Sequence, residues 1–339
     1  MQKFLILRFS SFGDVLQSLS IAGKIYEKNP SAEVHWVTRS DFTTLLEAHP
    51  AIQKVHAISR KSRLKDLWSL AATLSEQNYD VIYDAHNNLR SHLLVWFLKL
   101  HRLLRGQRQS AIFLRKSQKR WKRFMLFQFR KNYFQMPFSG QRDLLEALQK
   151  ISYDVTLPPA PQLYLNPQMD LPVDLPKQFI ALAPSSAHQL KRWPVEYWDE
   201  LIQKNPSLQF VFLGGREDVF IEAMHQRHPQ HTINCAGVLS MLQSAEVVRR
   251  SQLLITNDTG PLHLAEQLGH PAFALMGPAP FGFPSRPSTK IFQRDLKCRP
   301  CSKHGQKPCH NPVFHECLRD ISVDEIHREL HHFLQRTSM

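Results

Sequence analysis

The chain has 339 residues, of which 42% are hydrophobic and 21% are charged, and its formal net charge at pH 7 is +14. The length fits two domains of ordinary size, and the composition is ordinary for a soluble globular protein. No apolar run approaches the roughly 20 residues of a membrane-spanning helix, and the short apolar run after Met1 lacks the features of a signal peptide. We therefore expect a cytoplasmic protein whose five cysteines are reduced.

The positive charge is concentrated in one segment. Residues 85–142 contain 14 Lys or Arg and no Asp or Glu, whereas the rest of the chain has 29 charges of each sign. A localised basic segment predicts an anionic partner beside it, which could be nucleic acid, an anionic membrane surface or a phosphorylated substrate.

The first part of the chain alternates predicted strands and helices. Strands are predicted at 3–9, 33–38, 55–58 and 81–84, and helices at 15–28 and 64–77. This alternation favours a parallel sheet with helices on both faces. We assign residues 1–160 to an N-terminal Rossmann-like domain that includes the basic segment 85–142.

A proline-rich stretch separates this domain from a second one. Residues 157–176 contain six prolines and are predicted to be a linker. Residues 177–322 again alternate strands and helices, and 323–339 are predicted to form a C-terminal helix. Two α/β domains joined in this way predict a ligand site in a cleft between them.

One turn in the second domain predicts an anion site. Its sequence is Ile255-Thr256-Asn257-Asp258-Thr259-Gly260-Pro261-Leu262-His263, in which a strand ends and a helix opens with Asp258 or Thr259 as the N-cap. The free N–H groups and the positive end of the helix dipole favour a diphosphate there without a metal. An ordinary capped helix is the alternative interpretation.

Two other loops follow strands of the same domain. The loop at 184–194 contains Ser185 and Ser186, which can hydrogen-bond phosphate oxygens, and Lys191, which can neutralise a departing diphosphate. The loop Gly214-Gly215-Arg216-Glu217-Asp218 offers carboxylates to ribose hydroxyls, but it is not a G-x-G-x-x-G fingerprint. A solvated loop and a plain turn are the alternative interpretations.

The first strand is followed by Ser10-Ser11-Phe12-Gly13-Asp14-Val15. Asp14 lies where the strand meets the first helix, at the edge that faces any cleft between the domains. A carboxylate there can deprotonate an acceptor hydroxyl. The alternative is that Asp14 only caps the helix.

Four cysteines fall close together near the C-terminal end, with the spacing Cys298-x2-Cys301-x7-Cys309-x7-Cys317 and three histidines among them. In a reducing compartment this pattern predicts a structural zinc site, although the spacing is not that of a standard knuckle pair. Free or partly buried thiols are the alternative.

Part of the basic segment is also rich in aromatic residues. Residues 118–136 interleave Lys and Arg with Trp121, Phe124, Met125, Phe127, Phe129 and Phe134. This composition suits an anionic membrane surface, and nucleic acid could use it as well. A solvated helix face over an apolar core stripe is the third interpretation.

Together these motifs resemble a known family. The order and spacing of S-S-F-G-D-V, P-S-S-A-H-Q-L-K-R-W-P, L-G-G-R-E-D and T-N-D-T-G-P-L-H-L-A resemble the ADP-heptose:lipopolysaccharide heptosyltransferases, glycosyltransferase family 9. The resemblance implies a GT-B fold, with two Rossmann-like domains whose parallel sheets face a central cleft, and inverting transfer without an essential cofactor. It also implies three partners: ADP-heptose, an anionic phosphorylated inner-core glycolipid and, peripherally, the inner leaflet of the inner membrane.

The resemblance assigns roles to matching residues. It implies that Asp14 is the general base and that Lys191 meets the diphosphate. The implied donor contacts are Ser185, Ser186, Lys191, Glu217, Asp258, Thr259, Gly260 and His263. We expect the acceptor contacts beside the base and in the basic segment, at Ser11, Gly13, Arg120, Lys122 and Arg123.

Two other functions stay open. A GT-B transferase with another donor, such as a UDP-sugar, would have the same motifs, because nothing in the sequence separates adenine from uracil. A non-catalytic nucleic-acid-binding α/β protein would use the basic segment but would not need the two ligand-facing loops of the second domain. We therefore do not expect nucleic acid to be a partner.

Overall fold

The protein is described from a computed structural model that covers residues 1–107 and 111–337. Residues 108–110 of the predicted basic segment and residues 338–339 of the predicted C-terminal helix lie outside the described residues. The chain forms two compact units, Met1–Arg120 with Gly140–Tyr164, and Trp121–Ser139 with Leu165–Met339. The main division, after Tyr164, falls inside the proline-rich stretch.

The first unit is built on a five-stranded parallel sheet in the order β3-β2-β1-β4-β5. Its strands are β1 (Lys3–Leu7), β2 (Glu33–Arg39), β3 (Ile52–Ile58), β4 (Val81–Asp84) and β5 (Ile112–Arg115). The second unit has a six-stranded parallel sheet in the order β11-β10-β9-β6-β7-β8. Its strands are β6 (Ile180–Ala183), β7 (Phe210–Phe212), β8 (Thr232–Asn234), β9 (Leu253–Asn257), β10 (Ala272–Leu275) and β11 (Thr289–Phe292).

α-Helices alternate with most of the strands, and two more follow the last strand. They are α1 (Phe12–Lys28), α2 (Thr43–Glu47), α3 (Leu64–Ser75), α4 (Leu89–Leu104), α5 (Arg120–Phe129), α6 (Gly140–Leu145), α7 (Val195–Gln203), α8 (Phe220–Arg227), α9 (Met241–Arg250), α10 (Gly260–Leu268), α11 (Glu316–Arg319) and α12 (Val323–Thr337). Among the helices of the described residues, none is long and apolar enough to span a membrane.

Both sheets have the strand order of a Rossmann-like fold. In each, the order reverses between two neighbouring strands, β1 and β4 in the first unit and β6 and β9 in the second. Such folds bind ligands outside the carboxyl ends of the strands at this reversal. The loops that carry Asp14 and the predicted donor residues follow β1, β6, β7 and β9, so three of these four loops lie at a reversal point.

The central strands β1, β4, β6 and β9 are buried on both faces of their sheets, as strands of parallel sheets generally are. In the first unit, β1 and β4 pack against α3 and α4 through Leu5, Ile82 and Leu98. In the second unit, Phe212 lies in one core layer and Val211 in the other, because neighbouring side chains of a strand point to opposite faces. These cores hold the strand ends that carry the site.

The aromatic part of the basic segment packs with the second unit, although its sequence position had placed it in the N-terminal domain. Phe134 and Phe138 form a small cluster with Leu126, and the Phe281 ring packs against both phenylalanines at 5.2 and 5.0 Å between ring centroids. Buried aromatic contacts of this kind outweigh the tendency of a basic segment to stay solvated.

Several elements were not predicted from the sequence. The strands β5, β8 and β11 have only three or four residues each, and the 16-residue helix α4 lacks a one-sided apolar pattern. The helix α1 also begins earlier than predicted, so Asp14 lies in its first turn and not in the turn before it.

Candidate functional site

An ion pair lies at the reversal point of the second sheet. Lys191, from the loop after β6, places its Nζ 2.8 Å from Oδ2 of Asp258, which directly follows β9. The Asp258 side chain is almost fully buried. Gly282 covers it so closely that a Cβ at position 282 would lie 1.7 Å from Asp258 Oδ1. A buried carboxylate thus holds the lysine beside the helix that follows.

That helix is α10, and its N-terminus offers an anion site. Thr259 is the N-cap, and Pro261 stands in the first turn, where its missing N–H costs nothing. His263 lies one turn further on and is buried, with Nδ1 3.4 Å from Oε2 of Glu266. Glu266 in turn accepts hydrogen bonds from the backbone N–H groups of Ser285 and Arg286. The predicted residues 258–263 are therefore grouped at one helix start.

The loops after β6 and β7 are joined by Asp218. Ser185 donates its hydroxyl proton to Asp218, and the backbone N–H of Gly215 donates to the same carboxylate at 2.8 Å. Asp218 is buried, whereas Glu217 is exposed. Of the two carboxylates that the sequence offers for ribose hydroxyls, only Glu217 is exposed to solvent.

The first unit places Asp14 at the reversal point of its own sheet. Oδ2 of Asp14 lies 2.7 Å from NH2 of Arg8, and it accepts hydrogen bonds from the Ser11 hydroxyl at 2.9 Å and the Ser11 backbone N–H at 3.2 Å. The contact with the Ser11 backbone completes a capping box, so Asp14 has the capping role that the sequence left open. Its side chain is still 46% exposed and accessible to a ligand.

The electrostatic surroundings keep Asp14 ionised. The partial burial of Asp14 alone would raise its pKa, but the charges of Arg8 and Lys116 and the hydrogen bonds from Ser11 outweigh this effect and hold the pKa well below its usual value of 3.8. Nearby, burial and the Arg8 charge lower the pKa of His86 to about 4, so this imidazole is neutral at physiological pH. Asp14 is therefore a partly exposed carboxylate that is ionised at neutral pH.

The predicted acceptor residues do not all lie in one unit. Ser11 and Gly13 stand beside Asp14, and Arg120 ends the first segment of the same compact unit. Lys122 and Arg123 belong to the second unit, where the Arg123 guanidinium stacks over the Phe281 ring at 4.3 Å. At least one cationic side chain of α5 thus packs against an aromatic ring of the second unit.

The sequence profile of glycosyltransferase family 9 (heptosyltransferase) matches residues 67–311, which is more than half of the chain. The chain belongs to this family.

Individual relatives agree with the family assignment. The lipopolysaccharide heptosyltransferase 1 of Pseudomonas aeruginosa is 24% identical over 324 residues, covering 89% of this chain and 86% of the relative. The structure of the Escherichia coli ADP-heptose lipopolysaccharide heptosyltransferase II superposes with a TM-score of 0.70 at 18% identity, with full coverage of both chains. The E. coli heptosyltransferase WaaC with ADP-2-deoxy-2-fluoro heptose gives a TM-score of 0.64 at 17% identity, covering 98% of this chain and 99% of the other. The predicted GT-B fold and glycosyltransferase activity class are confirmed.

One positioning residue of this family 9 protein was missed at the sequence level. Asn257 is fully buried at the end of β9, where its Oδ1 accepts a hydrogen bond from the Trp193 backbone N–H at 2.9 Å. Its Nδ2 donates to the Pro184 carbonyl oxygen at 2.7 Å. Asn257 therefore fixes both ends of the loop that carries Lys191. An asparagine at the end of an otherwise apolar strand was the signal available in the sequence.

The cysteine-bearing segment supports the same loop. The His315 Nε2 lies 2.9 Å from the Leu190 carbonyl oxygen, so this nitrogen carries the proton and donates. A Cβ on Gly305 would lie 2.8 Å from Cγ of Lys191, and the positive φ of Gly305 (82°) also favours glycine. Gly305 and His315 thus contact this loop and help to hold it in place.

The four clustered cysteines are all free thiols in the structure, as is Cys235. Within residues 1–107 and 111–337, no group of three or more His, Cys, Asp or Glu side chains is arranged to hold a metal ion. Burial raises the pKa of Cys317 to about 12, and the neighbouring Arg299 only partly opposes this. The structure gives no support to the zinc hypothesis, which stays a prediction.

Proposed function

We propose that this protein transfers a heptose from ADP-heptose to a phosphorylated inner-core acceptor of lipopolysaccharide, with inversion at the anomeric carbon. The observation that carries the proposal is the grouping of Lys191, Asp258 and the N-terminus of α10 at the reversal point of the second sheet. A lysine and free helix N–H groups are the features that bind a diphosphate. The donor identity is supported by the similar E. coli heptosyltransferase WaaC, whose structure contains ADP-2-deoxy-2-fluoro heptose.

The donor is proposed to bind to the second unit. Lys191, the Thr259 and Gly260 backbone and the hydroxyls of Ser185 and Ser186 contact the diphosphate, while Glu217 accepts hydrogen bonds from the ribose hydroxyls. Asp258 and His263 face the sugar. Because Lys191 already pairs with Asp258, the lysine exchanges its carboxylate partner for a phosphate partner when the diphosphate binds.

The reaction is proposed to begin at Asp14. Its carboxylate takes the proton of the acceptor hydroxyl, and the hydroxyl oxygen attacks the anomeric carbon of the heptose from the face opposite the diphosphate. The bond from the anomeric carbon to the diphosphate oxygen breaks, and ADP leaves with the electron pair. Lys191 and the α10 dipole stabilise the negative charge that develops on the leaving group, so these residues can do this without a metal.

The acceptor is proposed to be an anionic glycolipid on the cytoplasmic face of the inner membrane, with which the protein associates peripherally. Ser11 and Gly13 are the acceptor contacts nearest the base. Arg120, Lys122 and Arg123 are proposed to contact acceptor phosphates. The absence of carboxylates from residues 85–142 supports an anionic partner.

Nucleotide binding tests the donor assignment. Calorimetry with ADP, UDP, GDP and CMP should show selective binding of ADP that weakens at least about tenfold in Lys191→Ala. Lys177→Ala, which removes an exposed lysine of the same unit, is the matched control and should bind ADP normally. Preference for another nucleotide would change the donor, and binding of none of them together with salt-dependent oligonucleotide binding would favour the nucleic-acid alternative.

A further inference from the structure

Helix α4 is apolar on two opposite faces. Its inner stripe, with Leu94, Val95 and Leu98, is buried in the core of the first unit. Its outer stripe consists of Leu89, Leu93, Trp96, Leu100 and Leu103. Successive residues of this stripe are alternately four and three positions apart, which places them on one face of the helix. Leu89 is 75% exposed, Trp96 58% and Leu103 75%. The opposite face of α4 is already buried in the core, so an exposed apolar stripe on the outer face is the kind of surface that a partner covers.

The edge strand β5 widens this stripe into a surface. Ile112 and Phe113 are exposed at the free edge of the sheet, and Leu104 is exposed at the end of α4. Lys99 of α4 lies over the Phe113 ring, with Nζ 4.1 Å from the ring centroid, so the helix and the strand are in contact. We call this the α4–β5 surface; its apolar residues are Leu89, Leu93, Trp96, Leu100, Leu103, Leu104, Ile112 and Phe113.

The charges of the α4–β5 surface have one sign. Arg90 and Lys99 lie on α4, Arg105 directly follows it and Arg115 lies on β5, and neither element contains an Asp or Glu. From neighbouring elements, Glu76 pairs with Arg105 at 2.9 Å and Asp84 with Arg115 at 3.3 Å. Arg90 donates hydrogen bonds to backbone carbonyl oxygens, and Lys99 lies over an aromatic ring. The positive charges of these two side chains therefore set the local potential.

The charges and apolar side chains of the α4–β5 surface favour one kind of binding partner over others. A second copy of the chain would bring like charges together, which opposes pairing of the surface with itself. Nucleic acid binds to cations with stacking aromatic rings, whereas most apolar residues here are leucines and isoleucine, which do not stack on bases. Leucines, a tryptophan and flanking Lys and Arg are the side chains of interfacial helices on anionic membranes.

We propose that the α4–β5 surface docks on an anionic lipid bilayer, with Trp96 and the outer leucines in the boundary between headgroups and acyl chains. Arg90 and Lys99 contact lipid phosphates. The helix begins just after β4, at the reversal point of the sheet where Asp14 also lies, so docking brings the proposed base to the membrane surface. The inference rests on the proposed function only in that the acceptor is a membrane lipid.

A second exposed aromatic group makes a matched control possible. On α5, Phe124 is 57% exposed and Phe129 55%, and both lie in the basic segment but in the second compact unit. If membrane binding depended on basic and aromatic composition alone, α5 would serve as well as α4. The two surfaces are separated by comparing Trp96→Ser/Leu103→Ser with Phe124→Ser/Phe129→Ser.

Vesicle flotation of the full chain tests the proposal. The wild-type protein should float with vesicles of phosphatidylcholine mixed with phosphatidylglycerol and much less with phosphatidylcholine alone. Trp96→Ser/Leu103→Ser should partition at least about tenfold more weakly, because two large apolar side chains no longer enter the bilayer. Lys99→Glu should weaken binding in the same direction while keeping the apolar stripe, and Phe124→Ser/Phe129→Ser should bind like the wild type.

The opposite pattern would overturn the proposal. It is wrong if the α4 variant floats like the wild type, if only the α5 variant loses binding, or if light scattering shows a wild-type dimer that dissociates in Trp96→Ser/Leu103→Ser. Transfer to a deacylated, water-soluble acceptor should be the same in all these variants. If the wild-type protein did not transfer heptose to the soluble acceptor, the proposed function would be contradicted and not the docking proposal. Failure of the docking proposal and failure of the proposed function are therefore distinguishable.

Discussion

Lys191 and Asp258 are paired at 2.8 Å between Nζ and Oδ2, at the start of α10 and at the reversal point of the second sheet. The aspartate is nearly fully buried, and the lysine side chain is largely shielded. The lysine is therefore already placed and oriented by a protein carboxylate. Preorganised positive charge of this kind stabilises a leaving group more effectively than a mobile side chain can.

Removing the lysine should affect both stability and donor binding. Lys191→Met leaves the buried Asp258 carboxylate unpaired, so we expect the free energy of unfolding to fall by about 2–4 kcal/mol, measured by urea denaturation. Lys191→Met/Asp258→Asn should regain most of this stability but not ADP binding. If the double variant recovered ADP binding as well, the lysine would have no role at the diphosphate.

The Arg8–Asp14 pair should control the pH dependence of transfer. Because the native pKa of Asp14 lies below 3.8, its ionised form stabilises the fold above that pH, and the contribution is lost only as the pH falls through the native pKa. In Arg8→Met the Asp14 pKa should rise, which moves the acid limb of the kcat/KM profile to higher pH by about 1 unit or more. Arg8→Lys keeps the positive charge and should shift the acid limb less. An unchanged acid limb in Arg8→Met would contradict the assignment of Asp14 as the base.

Asn257 should be important for stability and for the lysine loop. Asn257→Ala leaves the buried Trp193 N–H and the Pro184 carbonyl without their partner, so we expect a loss of about 2–4 kcal/mol in unfolding free energy. ADP binding should weaken as well, because the loop between these groups carries Lys191. Asn311→Ala, at an amide outside the core, is the control; equal stability of the two variants would contradict the proposed positioning.

Cysteine chemistry should distinguish the core thiol from the clustered ones. Burial raises the pKa of Cys235 to about 11, so little thiolate is present at neutral pH. We expect iodoacetamide to modify Cys235 only after unfolding, and to modify the half-buried Cys298 in the folded, metal-free protein. Mass spectrometry of digests measures both. If the purified wild-type protein contains zinc and Cys298→Ser does not, the predicted metal site is established. If the wild-type protein contains no zinc, the prediction of a metal site is wrong.

Much of the fold could be predicted from the sequence because parallel strands have a strong pattern. The buried runs at β1, β4, β6 and β9 are almost wholly apolar, and the helices α1, α3 and α10 have clear starts and ends. The helix α4 could not be predicted in the same way, since its apolar residues lie on both faces and no one-sided period stands out. The strand β5 is short and half exposed, so its pattern resembles a loop.

The candidate site was predictable as a set of loops but not as a set of contacts. The positions of Asp14, Lys191 and Asp258 after predicted strands were sufficient to place them at sheet edges. The Arg8 and Asn257 contacts depend on the neighbouring strand and loop, which a local pattern does not contain. The membership of Lys122 and Arg123 in the second unit depends on the Phe281 contacts, far away in sequence.

Transfer from ADP-heptose is the most direct test of the central claim. The purified protein is given ADP-heptose and a phosphorylated inner-core acceptor, and ADP release is followed together with the mass and anomeric configuration of the product. We predict one added heptose with inverted configuration, and a rate at least about 100-fold lower in Asp14→Asn with ADP binding unchanged. No product from ADP-heptose, or near-normal transfer in Asp14→Asn, would contradict this account.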